Sequence, residues 1–378
     1  MKSLFFYGTL CHLPLLEAVL GRALVQGDVQ DAELAGHRIY WVKDQQFPVI
    51  VKEAGRAQGI LLANLSDEDV ARLDFYEGGY GYELRELSVD TPQAGDVGPH
   101  AAKVYFPDPG MWEKGADWSL TDWVARWGDM TVLAATEELH YFGRYSPERI
   151  AEMFPTIRAR AWAKVNATSR NHAHSPGGMG LDHVTEHGRT YPYAGFFAMS
   201  DVTLSHKSFA GAELGPMERA VFMATDAVIL LPYDPVRDRV LLVEQFRAGA
   251  YMRGDEKPWQ LEPIAGRIDA GETPQQAAMR EAEEEAGLTL RHLEEVAHCY
   301  ASPGCSTEYF DIYVGLADLP DNITGDAGLD SEQEDIRSYV FSFDELMQMV
   351  DKMQTVNAPL VLAALWLARH RDRLRTTS

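Results

Sequence analysis

Glu281, Glu284 and Glu285 stand three and four residues apart, a spacing that brings side chains onto one face of a helix within a few ångströms. Like charges so arranged repel by about 0.2–0.5 kcal/mol per pair unless a cation is shared among them. Hard carboxylate oxygens suit Mg²⁺ above all, with Mn²⁺ as its substitute. Three glutamates alone would read as a solvated acidic face. Their surroundings reverse that reading. Gly266 and Glu272 lie in a preceding loop, Arg280 adjoins the cluster, and Gly287 follows it. Thr273 is a good N-cap, Pro274 fits the first helical turn, and Gly287 closes the helix. Ala278, Met279, Ala282 and Ala286 form a neighbouring apolar face that would lie against a sheet.

Other chemistry-bearing residues carry less. His172, His174, His183 and His187 fall in a polar segment without matching acidic ligands, so they do not read as a metal site. Trp112, Trp118, Trp123 and Trp127 stand near helical spacing and read as core. The three cysteines, Cys11, Cys299 and Cys305, form no disulfide framework and read as reduced, mostly buried thiols.

These residues sit in a chain of 378 residues, 46% hydrophobic and 10% aromatic, long enough for two domains with full cores. The formal charge of −23 argues against nucleic acid or an anionic membrane as partner. It does not exclude a small anionic substrate, which needs only local arginines and a metal ion. No stretch reaches the roughly 18 apolar residues of a spanning helix, and Gly8, Thr9 and His12 interrupt the apolar start. A cytoplasmic protein is expected.

Short β runs are expected at Leu4–Tyr7, His37–Val42, Pro48–Val51, Gly59–Leu62 and Lys103–Phe106, with a helix from Ser66 to Leu73 capped by Ser66. Asp117 to Ala163 reads as helical, with Trp123, Trp127 and Met130 on one face. Residues 166–188, rich in Gly, Pro, Ser and Asn, read as a linker. Strands at Ala194–Met199, Ala220–Met223, Ala227–Leu231 and Arg239–Glu244 then lead to the glutamate helix, and a last helix covers Pro359–Arg373.

The series Gly266, Glu272, Arg280, Glu281, Glu284, Glu285, Gly287 and Leu288 resembles the Nudix signature position by position; only Ala282 is smaller than the usual aliphatic residue. The resemblance implies that Arg280 pairs with Glu272 to shape the loop. It also implies that Glu281, Glu285 and the Ala265 carbonyl ligate a metal, with Glu284 at a further metal or its water. Such a metal polarises a diphosphate and activates water. The flanks, Leu230 to Asp238, Val243 to Arg247 and Pro258 to Glu262, are similar to the ADP-ribose diphosphatases. That likeness implies that Arg247 and Glu262 contact substrate and that Pro303, sixteen residues after Gly287, marks ADP-ribose cleavage. It further implies a general base at Glu332 or Glu334, and a homodimer in which Arg219 reaches the partner's site.

Tyr7-Gly8-Thr9-Leu10, together with the stretch Leu73 to Arg85, resembles the γ-glutamylcyclotransferase-like fold. The resemblance implies that the Tyr7–Leu10 loop binds a γ-glutamyl compound and that Glu77 shuttles a proton, given burial that raises its pKa. A non-catalytic binding or dimerisation module is the competing reading.

Two domains follow from these likenesses. Residues 1–110 are an α+β γ-glutamylcyclotransferase-like β-barrel fold, 111–188 a helical extension and polar linker, and 189–378 an α/β/α Nudix sandwich with a mixed sheet. The expected activity is Mg²⁺-dependent cleavage of ADP-ribose to AMP and ribose 5-phosphate. GDP-mannose, NADH or turnover-free ADP-ribose sensing are the alternatives. Such fusions also resemble tellurite-resistance-type Nudix proteins.

Overall fold

The computed structural model describes residues 2–78, 81–92, 99–170, 176–327 and 335–376. The chain divides into two compact units, Met1–Val184 with Ala194–Phe196, and Thr185–Tyr193 with Phe197–Ser378. No helix among the described residues is long and apolar enough to cross a membrane.

In the first unit, β1 (Lys2–Phe6), β2 (Val29–Val42), β3 (Pro48–Leu65), β4 (Tyr82–Val89), β5 (His100–Pro107) and β6 (Lys114–Asp117) make one mixed sheet. Its order is β4-β5-β1-β3-β2-β6, with β1 and β5 parallel and the other pairs antiparallel. Glu33, on β2, and Asp90, just past β4, exchange both backbone hydrogen bonds at 2.8 and 2.9 Å, curling the sheet into a half barrel. Phe5, Leu34, Ile50, Leu61 and Val104 fill its inside. The two strands expected at 48–51 and 59–62 are one strand, β3. The polar residues between them still pair with β2, across a bulge at Gly36, whose φ of +71° suits glycine.

Helices α1 (Leu13–Leu20), α2 (Asp67–Glu77), α3 (Leu120–Trp123), α4 (Asp129–Leu139) and α5 (Pro147–Ser169) complete this unit. Ser66 caps α2 in a reciprocal capping box with Asp69. The expected continuous helix over 117–163 is broken. α3 passes through a π turn (Val124–Gly128) into α4, and the chain restarts at α5, where Ser146 caps and Pro147 occupies the first turn. Trp123, Trp127 and Met130 are buried as expected. α5 runs through Ser169 and the next strand begins at Val184, so the expected linker at 166–188 is partly helix and partly strand; His172 and His174 lie outside the described residues.

The second unit begins with the antiparallel strands β7 (Val184–Ala194), β8 (Ala198–Lys207) and β9 (Glu213–Met223), in the order β7-β8-β9. The strand expected at Ala194–Met199 is interrupted: Ala194 ends β7, residues 195–197 turn, with Phe196 and Phe197 exposed, and Ala198 and Met199 begin β8.

A larger sheet follows, from β10 (Asp226–Asp234), β11 (Arg239–Phe246), β12 (Trp259–Glu262), β13 (Ile264–Arg267), β14 (His292–Tyr300), β15 (Tyr309–Leu316), β16 (Asp326–Ala327) and β17 (Ile336–Ser342). The main path is β14-β15-β10-β11-β17-β16; β12 pairs with β11, β13 with β10, and β10 runs parallel to β15. The remaining helices are α6 (Ala248–Arg253), α7 (Pro274–Ala286), α8 (Phe343–Asp351) and α9 (Ala358–Thr376).

Strand alternation assigns the two faces of this sheet. Ile229, Leu231 and Tyr233 pack with Phe343, Leu346, Leu360 and Leu367 of α8 and α9. Val228, opposite Gly266, points to the other face, where α7 lies. Ala277, Ala278 and Ala282 are fully buried and let α7 approach closely. Met279, expected on that face, is exposed, because it falls one residue beyond the alanine stripe.

Candidate functional site

α7 starts where its sequence dictates. Thr273 accepts from the Gln276 N–H while Gln276 accepts from the Thr273 N–H, and Gly287 ends the helix at φ +59°. Ahead of it, β13 carries Gly266 past the helix. A Cβ on Gly266 would stand 1.8 Å from Oε1 of Glu281, so a bare backbone is what lets that carboxylate lie against the strand.

Arg280 organises the loop. It donates to Glu272 through Nε and Nη2, both at 2.9 Å, and to the Arg267 carbonyl at 3.0 Å. Its Nη1 reaches Glu281 at 2.6 Å and Glu284 at 3.0 Å. These bonds push its pKa further up, that to Glu272 most. Glu272 also accepts from the Asp269 N–H at 3.1 Å. The expected Arg280–Glu272 contact is present, and Arg280 does more than was expected of it.

Glu281 and Glu285 are buried, at 8% and 3% exposure, with Glu284 half-buried. Among the described residues no group of three or more His, Cys, Asp or Glu side chains stands ready to hold a metal. The cation drawing Glu281 and Glu284 together in this structure is the Arg280 guanidinium. The donor set nonetheless has the chemistry of a divalent-ion site: hard, buried carboxylate oxygens beside the carbonyl-bearing backbone of Ala265 and Gly266.

Arg247 caps α6 and donates through Nε to Oε1 of Glu262 at 2.7 Å; Asn357 donates to the other oxygen at 3.0 Å. Burial pushes the Glu262 carboxyl up, and Arg247 opposes the shift. Glu308 is a further residue here that the sequence reading missed. Burial raises its pKa, and the Arg247 charge lowers it. Its only sequence signal was its position five residues after Pro303. Pro303 is exposed, in a loop anchored by hydrogen bonds from the Phe222 N–H to Cys305 (2.8 Å) and from the Thr307 N–H to Phe222 (3.0 Å). Cys305 is exposed too, against the expectation of buried thiols, because this loop lies on the surface. Arg219 is exposed on β9 and donates to the carbonyl of its neighbour Glu218 at 2.8 Å. Glu332 and Glu334 lie outside the described residues.

The first unit holds a cavity of about 320 Å³ lined by Tyr7, Gly8, Thr9, Leu10 and Glu77. The Tyr7–Leu10 loop follows β1, and Glu77 is the last residue of α2. Tyr82, Tyr105, Trp112 and Phe154 contribute aromatic walls; Phe154 comes from α5, which the sequence gave no reason to connect with this cavity. The Tyr7 hydroxyl donates to the Tyr105 carbonyl at 3.0 Å, and the Tyr105 hydroxyl donates to Asp74 at 2.6 Å. Burial raises the pKa of Tyr7, Tyr82 and Tyr105, with the Glu77 charge adding to each, so all three keep their protons at neutral pH. Burial pushes Glu77 from 4.5 to about 7.

Comparison with known proteins finds a family match in each half of the chain. A NUDIX domain model matches residues 223–363, and a model described as "Gamma-glutamyl cyclotransferase, AIG2-like" matches residues 4–125. A Shigella flexneri protein named ADP-ribose pyrophosphatase is 40% identical over 183 residues, 48% of this chain and 87% of that protein. A Haemophilus influenzae protein of the same name is 35% identical over 185 residues, 48% of this chain and 85% of that one. An Escherichia coli protein named GDP-mannose pyrophosphatase is 28% identical over 150 residues, 40% of this chain and 77% of its own length.

The glutamate helix with its glycine-backed loop thus lies within a matched Nudix domain, of a class of hydrolases that act on nucleoside diphosphate compounds and generally use divalent metal ions. The chain belongs to the Nudix family, alongside proteins named ADP-ribose pyrophosphatase, and carries a γ-glutamylcyclotransferase-like domain before its Nudix domain.

Proposed function

We propose that the Nudix domain hydrolyses ADP-ribose to AMP and ribose 5-phosphate with Mg²⁺. The observation that carries this reading is the union of the Gly266–Glu281 approach with the Arg280 clamp, in a chain that over 183 residues is 40% identical to a protein named ADP-ribose pyrophosphatase. GDP-mannose is the weaker alternative, at 28% identity. Intact glutamates favour turnover over sensing.

Glu281, Glu285 and the Ala265 carbonyl would hold the metal, with Glu284 at a further ion or its water. Mg²⁺ bound there would supply Lewis-acid polarisation of the diphosphate and an activated water. Arg247, oriented by Glu262 and Asn357, turns its Nη edge to phosphate oxygens, where a planar guanidinium binds in bidentate fashion. Glu332, with Glu334 as the second candidate, takes the proton from the attacking water. Pro303 borders the sugar end. Arg219 belongs to a homodimer in which it reaches across to the partner's site. The protein is proposed to act in the cytoplasm. A product screen of nucleoside diphosphate sugars with Mg²⁺ tests the reading: ADP-ribose should give AMP fastest, and equal turnover of GDP-mannose would remove the assignment.

For the first domain we propose cyclisation of a γ-glutamyl amine. The Tyr7–Leu10 loop binds the amino-acid end. Glu77, near neutrality in its burial, accepts the proton of the attacking amine and returns it to the leaving one. Release of 5-oxoproline that is lost in Glu77→Gln supports this, and no release from any γ-glutamyl amine leaves a binding module.

A further inference from the structure

Two adjacent glutamates on α4 have opposite fates. Glu137 is buried but answered: Arg160 donates to it at 2.5 and 3.0 Å, and the Tyr141 hydroxyl donates at 3.2 Å. Glu138 is 1% exposed, and neither of its carboxyl oxygens has a hydrogen-bond partner among the described residues. A buried carboxylate without a partner is costly, so such a group holds its proton instead. α4 packs against α1, α2 and α5, and α2 ends at Glu77, on the cavity.

We propose that Glu138 is a positioning residue for this cavity: with Glu77 it forms a coupled carboxyl pair that keeps one proton between its two members, so that a ligand's ammonium group meets a single negative charge. The proposal rests on reading Glu77 as the proton carrier of the cavity.

The surrounding charges fit this arrangement. Those acting on Glu138 are Glu137 on its own helix, Arg158 on α5 and Glu77 on α2. The charge of Glu137 is taken up by Arg160. Arg158 draws Glu138 down, but it also donates to the Gln46 side-chain oxygen and lies over the Trp127 and Phe154 rings. α1 buries Leu15, Leu16 and Val19, and its one charged residue, Glu17, accepts from the Leu24 N–H. Burial is the largest cause raising Glu138, to about 8, and the Glu77 charge adds to it. Glu77, at about 7, therefore ionises first, and its charge helps Glu138 keep its proton. Two interacting carboxyls titrate as a pair with two apparent midpoints, and their coupling is reciprocal. The helices that follow the barrel strands thus take part in the cavity's chemistry and do not merely cover it.

Infrared titration of protonated carboxyl absorption in the full chain tests this, with wild type, Glu77→Gln and Glu138→Gln. Wild type should show two steps between pH 6 and 9 that are absent from the double variant. Glu77→Gln should leave one step, at least half a unit below the upper step of wild type. Glu138→Gln should abolish the upper step and shift the pH profile of any γ-glutamyl amine turnover by a similar amount. An upper step unmoved by Glu77→Gln, or a pH profile unmoved by Glu138→Gln, overturns the proposal. If Glu138→Gln does not fold, Glu138→Asp and the Glu77→Gln titration still decide it. Absence of γ-glutamyl turnover would sink the cyclotransferase reading alone, since the titration reads the pair without substrate.

Discussion

Both candidate sites are built on glutamates at or near a helix end, yet the two regions treat the same side chain in opposite ways. At α7, Glu281 and Glu284 share one guanidinium, that of Arg280, at 2.6 and 3.0 Å. In the first unit, Glu138 accepts no hydrogen bond from a cation among the described residues, and burial drives both Glu77 and Glu138 toward the protonated form, against the more distant charge of Arg158 on Glu138. The first setting is suited to exchanging one cation for another. The second is suited to holding and moving a proton. The identity of the nearest positive group, and not the carboxyl itself, decides the chemistry.

The hardest test of that contrast is Glu285→Gln. It should lower Mg²⁺-dependent release of AMP from ADP-ribose by roughly a thousandfold, the scale of losing a major electrostatic contributor, while the cavity titration stays as in wild type. Turnover near wild type would break the metal-site half of the comparison.

Arg280→Ala removes the one guanidinium shared by Glu272, Glu281 and Glu284. It should cost about 3 kcal/mol of stability in the second unit, because partly buried carboxylates lose the cation they share. Chemical denaturation at neutral pH reads this, and added Mg²⁺ should restore part of the loss.

Glu138→Gln should do the reverse in the first unit. Its folded pKa, about 8, lies above the ordinary 4.5, so folding favours the protonated form. The resulting stability is fully present below about pH 4.5 and is lost as pH rises through 8. At pH 9 the variant should therefore be more stable than wild type by on the order of 2 kcal/mol, with no gain at pH 5. Thermal unfolding at the two pH values checks the sign.

Gly266→Ala sharpens the comparison at the metal side. The new methyl would displace the Glu281 carboxylate, and Mg²⁺ affinity measured by calorimetry should fall about tenfold, as when a ligand's support is lost. The smallest effect belongs to Thr273→Ala. Loss of the α7 cap should cost about 1 kcal/mol without altering which substrate is cleaved.

The loop-and-helix pattern from Gly266 to Gly287 was readable because each residue's role there is local. A cap, a first-turn proline, a left-handed glycine and an (i, i+4) pair are all set by neighbours in the chain. The start of α2 at Ser66 was readable for the same reason. Failures came where partners are distant. The polar middle of β3 is a strand because β2 pairs with it, and the apolar run Ala194–Met199 is broken by a turn at 195–197 although its composition suggests one strand. Asn357 reaches Glu262 across 95 positions, and Phe154 enters a cavity otherwise made by much earlier residues.

By itself the sequence determined which glutamates share one helix face, and in what order along it, because helical geometry fixes neighbours at three and four residues. Only the tertiary structure decided which carboxyls are answered by a cation and which are not. Charge state depends on burial and on what stands opposite, and both are properties of the packed chain: Arg280 lies at its glutamates, while Glu138 is enclosed with neither oxygen bonded among the described residues.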